Sequence, residues 1–126
     1  MSETYEKGLE IRRRVLGDAH VDAAESAKSD FDTAFQELIT ESAWGRVWAR
    51  DTISLRERSM LTIALLAAAG NFDEIPMHIR ATANTGASPA DVIEVLLHVA
   101  VYAGVPRANH AIKLARATYA EMGVEL

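Results

Sequence analysis

The chain has 126 residues, 49% of them hydrophobic and 25% charged, the balance of an ordinary globular protein. Its net charge of −5 argues against a nucleic-acid binder, because neutralising phosphates requires a basic stripe that this sequence lacks. It contains no cysteine, so thiol catalysis and disulfides are excluded outright.

A chain of this length is expected to form one domain, residues 1–126, and to bury roughly two thirds of its unfolded surface. The first residues do not combine a charged region, an apolar stretch and a cleavage site, so no secretory leader is expected. The longest strongly apolar run, 60–69, is too short to span a bilayer, and no membrane partner is expected. Absence of cysteine fits a reducing compartment, and the cytoplasm is the expected location.

Tyr5 to Leu16 reads as a helix ended by Gly17-Asp18. The one basic cluster, Arg12-Arg13-Arg14, lies within it and reads as a solvated helix face. From Asp30 to Trp48, apolar residues including Phe31, Phe35, Leu38, Trp44 and Trp48 recur near helical spacing, and Gly45 predicts a kink or a break. Four further helices are expected at about 54–69, 73–85, 89–103 and 106–122, closed by Gly70, Gly86, Gly104 and Gly123. Ser54 with Glu57, and Ser88 with Asp91, have capping-box spacing, and Pro89 suits a first helical position. The branched run from Val92 to Val101 has strand character, but its capping box, its length and the following glycine favour helix. The predicted class is all-α.

Residues 89–103 place Val92, Ile93, Val95, Leu96, Leu97, Val99, Val101 and Tyr102 around nearly the whole circumference of a helix. A helix apolar on all sides needs cover on all sides, which is difficult in so small a domain. A homo-oligomer is expected; the alternative is a helix running through the middle of the monomer.

The segment Gly70-Asn-Phe-Asp-Glu-Ile-Pro-Met-His78 carries the strongest chemical signal. Glu74 and His78 are four apart, so on a helix they share one face and can share a proton or one small ligand. The bland alternative is an exposed helix pair. The other histidines are His20, His98 and His110; His98 is expected to be packed within its apolar helix. His110 follows the turn Gly104-Val-Pro-Arg-Ala-Asn109, where a helix N-terminus with Arg107 and Asn109 would suit an anion. Trp44, Trp48, Phe72 and Tyr102 are candidate walls of an apolar site, and Arg58, Arg80 and Arg107 are candidates for holding carboxylates. No His-Glu-x-x-His pair, Gly-x-Ser-x-Gly turn or phosphate loop is present, so no metal, serine nucleophile or nucleotide is expected.

Several segments resemble the γ-carboxymuconolactone decarboxylase family over almost the full chain. They are residues 5–22, with Arg-Val-Leu-Gly-Asp-Ala-His-Val ending at Val21, and residues 35–48, with Trp44-Gly-Arg-Val-Trp48. Leu55 to Thr62, His78 to Ala81 and Gly104 to Ala111 continue the match. The central hairpin is shared by a broad superfamily; the first two segments look specific to the decarboxylase branch. The resemblance implies an alkyl hydroperoxide reductase D-like helical fold assembled as a trimer or hexamer. It also implies decarboxylation of 4-carboxymuconolactone to the β-ketoadipate enol-lactone in aromatic catabolism. The peroxidase branch carries a Cys-x-x-Cys pair where Asn71 and Glu74 stand here, so disulfide-based peroxide reduction is chemically impossible.

The substrate so implied is its own electron sink: loss of CO₂ drives electrons through the ring double bond to the lactone carbonyl, so no cofactor is expected. For that reaction we expect His78 to be the proton donor, with Glu74 setting its tautomer. Arg58 and Arg107 would hold the retained carboxylate, His20 or His110 would polarise the carbonyl, and Trp44 and Trp48 would exclude water. Two readings compete: a same-fold protein taking a different small carboxylated ligand, and a purely structural or interaction role.

Overall fold

The structure, a computed structural model, describes residues 2–126. All regular structure among the described residues is helical, and the chain divides into two compact units, one ending at Ser54 and the other spanning Leu55–Leu126. No helix among the described residues is long and apolar enough to cross a membrane.

The first unit opens with α1 (Glu3–Leu16), whose Ser2 hydroxyl caps the helix by accepting from the Tyr5 N–H at 3.0 Å. Gly17, at φ 92°, turns the chain directly into α2 (Asp18–Ala27). This helix is absent from the expected elements. Val21 is its one buried residue, so it offers no apolar stripe for periodicity to detect. Then come α3 (Thr33–Ile39) and, without a break, a π-helical segment (Thr40–Trp48). The expected kink at Gly45 is thus a change of winding instead, closed by the Ala49 N–H donating to the Trp44 carbonyl at 2.9 Å.

Two glycines set how closely α1 and the π-helical segment pack. A Cβ on Gly8 would lie 2.0 Å from the Thr40 carbonyl oxygen, and one on Gly45 would lie 2.3 Å from the Thr4 oxygen. Only residues without a side chain fit there. The basic cluster also departs from its expected solvated face. Arg14 is exposed, but Arg12 is buried, donating to the Thr40 hydroxyl at 3.4 Å with Glu25 4.0 Å away. Arg13 bridges Asp18 (3.2 Å) and Asp22 (2.8 Å), tying α1 to α2. Consecutive helical residues point in directions about 100° apart, so a run of three arginines cannot share one face.

The second unit is a bundle of α4 (Leu55–Ala69), α5 (Ile75–Thr85), α6 (Pro89–Tyr102) and α7 (Val105–Glu121). Its core joins Ile63 and Ala67 of α4, Ile75 and Ile79 of α5, Val92, Val95, Leu96 and Val99 of α6, and alanines 108, 111 and 115 with Tyr119 of α7. The alanines let α7 lie close to its neighbours. A buried hydroxyl pair, Ser59 and Thr85 at 2.7 Å, joins α4 to α5. Ser88 and Asp91 form the anticipated capping box at the start of α6. Asp91 also receives both arms of Arg56 from α4, at 2.8 and 2.6 Å. That guanidinium holds the Asp91 carboxyl well below the usual carboxylate range.

Half of the expected all-round burial of α6 is met inside this unit. Its inner face is buried, whereas Ile93, Leu97 (51% exposed) and Val101 (77% exposed) form an uncovered apolar stripe. His98, expected to be packed, is exposed as well and stacks on Tyr102 with ring centroids 6.0 Å apart. Both lie on the open side of the helix, where Tyr102 is 84% exposed and walls nothing.

Candidate active site

After α4, Gly70 adopts φ 77°, a conformation that glycine reaches without strain, and reverses the chain. Asn71 follows, its N–H bonded to the Leu66 carbonyl at 2.8 Å, and Phe72–Glu74 wind one 3₁₀ turn before α5 begins. Pro76 sits in the first turn of α5, where a missing N–H is harmless. This compact reversal puts Gly70 through Glu74 and Pro76 along one side of a cleft of about 670 Å³. His110 and Leu114 of α7 supply the other side.

Inside the cleft the Phe72 ring stacks on the His110 imidazole, with centroids 4.2 Å apart and planes inclined by 16°. Such stacking fixes the plane of the imidazole and leaves its two nitrogens at the ring edge. Arg107, one turn before His110, lays its guanidinium against Gly70: a Cβ there would meet Nη1 at 2.3 Å. Gly70 therefore serves two purposes, the turn and the close approach of a cation. Gly104, the N-cap of α7, provides no side-chain cap, so the first N–H groups of that helix add to the positive end of its dipole. The wall thus carries two carboxylates, Asp73 and Glu74, one imidazole, and a guanidinium beside it.

Of the residues singled out from sequence, the structure brings Glu74, His110, Asn71, Phe72 and Arg107 together. His78 is not in the cleft wall; it is buried at 7% exposure on α5. The spacing argument for Glu74 and His78 assumed one continuous α-helix, but the 3₁₀ turn ends at Glu74, so the pair straddles a change of winding. Arg80 is spent on Glu121, with which it forms an ion pair. Arg58 lies half-buried on α4 with its Nε enclosed. His20 is exposed on α2 of the first unit, and Trp44 and Trp48 are buried there, stacked at 5.0 Å. Sequence reasoning missed Asp73 and Leu114. The Gly70 turn was the available signal, since a tight reversal exposes several consecutive residues to one space.

The all-helical bundle and its polar cleft at a helix–turn–helix junction define a class. Residues 33–117 match the Carboxymuconolactone decarboxylase family, and the chain belongs to that family. It is 39% identical over 97% of its length to a 4-carboxymuconolactone decarboxylase of Acinetobacter baylyi, covering 91% of that protein. It is also 35% identical over 94% of its length to a nitrosuccinic acid decarboxylase of Metarhizium robertsii, covering 82% of it. A shorter match of 49% identity links 34% of the chain to 90% of a 4-carboxymuconolactone decarboxylase sequence from Pseudomonas putida.

Proposed function

We propose that the protein is a cofactor-independent carboxy-lyase that converts 4-carboxymuconolactone to the β-ketoadipate enol-lactone in aromatic catabolism. The observation that carries this reading is the cleft in which Asp73 and Glu74 stand with His110, beside the Arg107 guanidinium. The reaction needs a cation for the carboxylate that stays, a surface that disfavours the carboxylate that leaves, and a proton for the ring. That cleft contains one group for each.

Arg107 and the N-terminal N–H groups of α7 hold the retained acetate arm. The departing carboxylate lies against Asp73 and Glu74, where negative charge is unfavourable and neutral CO₂ is not. As the C–C bond breaks, its electron pair moves through the ring double bond to the lactone oxygen. His110, fixed by Phe72, then gives its proton to the ring carbon, completing the enol-lactone. His78, buried on α5 and outside the cleft wall, is given no step in this scheme. His20, Arg58, Trp44 and Trp48 remain proposed substrate-side residues of the assembled protein.

Assembly is part of the proposal. The stripe Ile93, Leu97 and Val101 supports self-association, as a trimer or hexamer, with no membrane or nucleic acid as partner. Cytoplasmic residence is likewise proposed, in keeping with a metabolic enzyme that carries no cysteine.

A second reading concerns substrate scope. The similarity to a nitrosuccinic acid decarboxylase favours a shared requirement rather than a shared ring. In both compounds a carboxylate can leave from a carbon joined to an electron sink, a conjugated lactone in one and a nitro group in the other. The test supplies each compound to the purified protein and follows CO₂ release with the ultraviolet absorbance of the lactone. Turnover of the lactone supports the main reading, and turnover of nitrosuccinate alone supports the second. Binding of either without CO₂ release would replace both with a ligand-binding role.

A further inference from the structure

The decarboxylation proposed for this cleft creates one charge that no residue has yet been given to meet. As CO₂ departs, the electron pair of the breaking C–C bond forms a new ring double bond. The old double bond shifts toward the lactone carbonyl, and its oxygen takes the negative charge. Arg107, Asp73, Glu74 and His110 each have another task in that scheme, so the sink oxygen needs a donor of its own.

Asn71 has the features of that donor. It is exposed and lines the cleft. Its N–H donates to the Leu66 carbonyl at 2.8 Å, and its carbonyl accepts from the Glu74 N–H at 3.3 Å. With both backbone groups committed, the carboxamide is what this residue can offer a ligand. Asn71 is the N-cap of the 3₁₀ turn, where an asparagine side chain ordinarily bonds the first N–H groups, yet it makes no capping bond. Nor has it another side-chain partner among the described residues. Of the described wall side chains, only those of Asn71 and His110 donate at neutral pH; ionised Asp73 and Glu74 accept, and the rest are apolar.

Position agrees with chemistry. The Gly70 turn before Asn71 and the Phe72–His110 stack after it fix this residue relative to the imidazole. One 3₁₀ turn carries the chain from Asn71 to Glu74, about 6 Å of rise, and residues three apart in this winding lie one above the other. A five-membered lactone spans a similar distance between its leaving carboxylate and its carbonyl oxygen. We propose that Asn71 is a catalytic residue, its NH₂ group bonding to the sink oxygen while the leaving carboxylate lies against Glu74. The assignment rests on the decarboxylase reading of the cleft. A neutral amide bonds weakly to the uncharged carbonyl of the substrate and roughly twice as strongly to the oxyanion. When His110 protonates the ring carbon beside the carbonyl, the electron pair returns from oxygen and the stronger bond is released.

Steady-state kinetics on the lactone test the assignment. Asn71→Ala should lower kcat about 10²-fold with little change in KM or in melting temperature, the usual loss for one oxyanion donor. Asn71→Asp should be at least as inactive, because an ionised carboxylate has no proton to donate. Aspartate caps helices as well as asparagine does, so parental activity in Asn71→Asp would show a capping role and overturn the proposal. Binding gives a readout that needs no turnover. Ionised tetronic acid is a five-membered lactone with negative charge shared onto its carbonyl oxygen, and butenolide is its uncharged comparator. In calorimetric titrations Asn71→Ala should weaken tetronate about tenfold or more and butenolide little. Parental kcat in Asn71→Ala, or equal weakening of both lactones, would overturn the assignment. A parent protein that binds tetronate through Asn71 but releases no CO₂ would support the donor and overturn the decarboxylase reading alone.

Discussion

The His110 imidazole and the Phe72 ring lie almost parallel with centroids 4.2 Å apart, joining the start of α7 to the 3₁₀ turn that leads into α5. In the proposed mechanism this stacking makes Phe72 the residue that fixes the proton donor without touching the proton. Phe72→Leu, which keeps apolar bulk but loses the flat face, should lower kcat about tenfold and leave KM nearly unchanged. Steady-state kinetics on the lactone separate the two constants. An equal loss in an unrelated binding measurement would show instead that the cleft had collapsed.

In the proposed mechanism Arg107 acts on binding rather than on bond breaking, because the carboxylate assigned to it is the same before and after CO₂ leaves. Arg107→Ala should raise KM by about tenfold or more, with a much smaller fall in kcat. A fall in kcat alone would move the guanidinium to the charge that develops in the transition state.

Gly8 provides a stability test remote from the cleft. A side chain there would enter the Thr40 carbonyl at 2.0 Å, and backbone cannot swing aside as a flexible side chain can. Gly8→Ala should destabilise the protein by about 3 kcal/mol, measured by chemical denaturation. The π-helical segment should lose hydrogen-exchange protection first. Unchanged stability would mean that α1 and this segment do not pack as described.

The Arg56–Asp91 pair makes a pH-dependent contribution with a definite sign. The carboxyl of Asp91 is held below its unfolded value near 3.9, so the stabilisation is complete above that pH. It is lost as pH falls through the lower folded value. Asp91→Asn should therefore reduce the melting temperature at pH 7, and the gap from the parent protein should close in strong acid. A gap that stays constant down to acid would assign the effect to the lost capping of α6 alone.

The proposed self-association would use the outer face of α6, where Leu97 and Val101 are largely uncovered. Leu97→Glu adds charge on a surface position that makes little contact within the chain, so the helix should persist while the assembly dissociates. Sedimentation velocity would register the change. A monomeric parent protein would contradict the expectation directly.

How much of this was legible in the sequence depended on the kind of signal each element sends. The four helices of the second unit begin and end within two residues of expectation, because glycine, proline and the Ser88–Asp91 box punctuate them. Helix α2 was invisible, since its residues are small and polar with one buried position, and the π-helical winding has no composition of its own. Arg12 read as surface because a guanidinium usually is, and its burial depends on Thr40, twenty-eight positions away. In the cleft, Glu74 and His110 were both recognisable as chemistry-bearing residues, but their meeting was not. It arises from packing between the 3₁₀ turn and α7, whereas local spacing pointed from Glu74 to His78 instead.

The most direct test is the decarboxylation rate of purified His110→Ala on 4-carboxymuconolactone beside the parent protein, with circular dichroism to verify the fold. Turnover by the parent and a loss of about 10²–10⁴ in kcat for the variant is the expected result, the usual worth of a positioned general acid. A His110→Ala protein that releases CO₂ at the parental rate would contradict the assignment of this cleft, and no release by the parent would contradict the reaction itself.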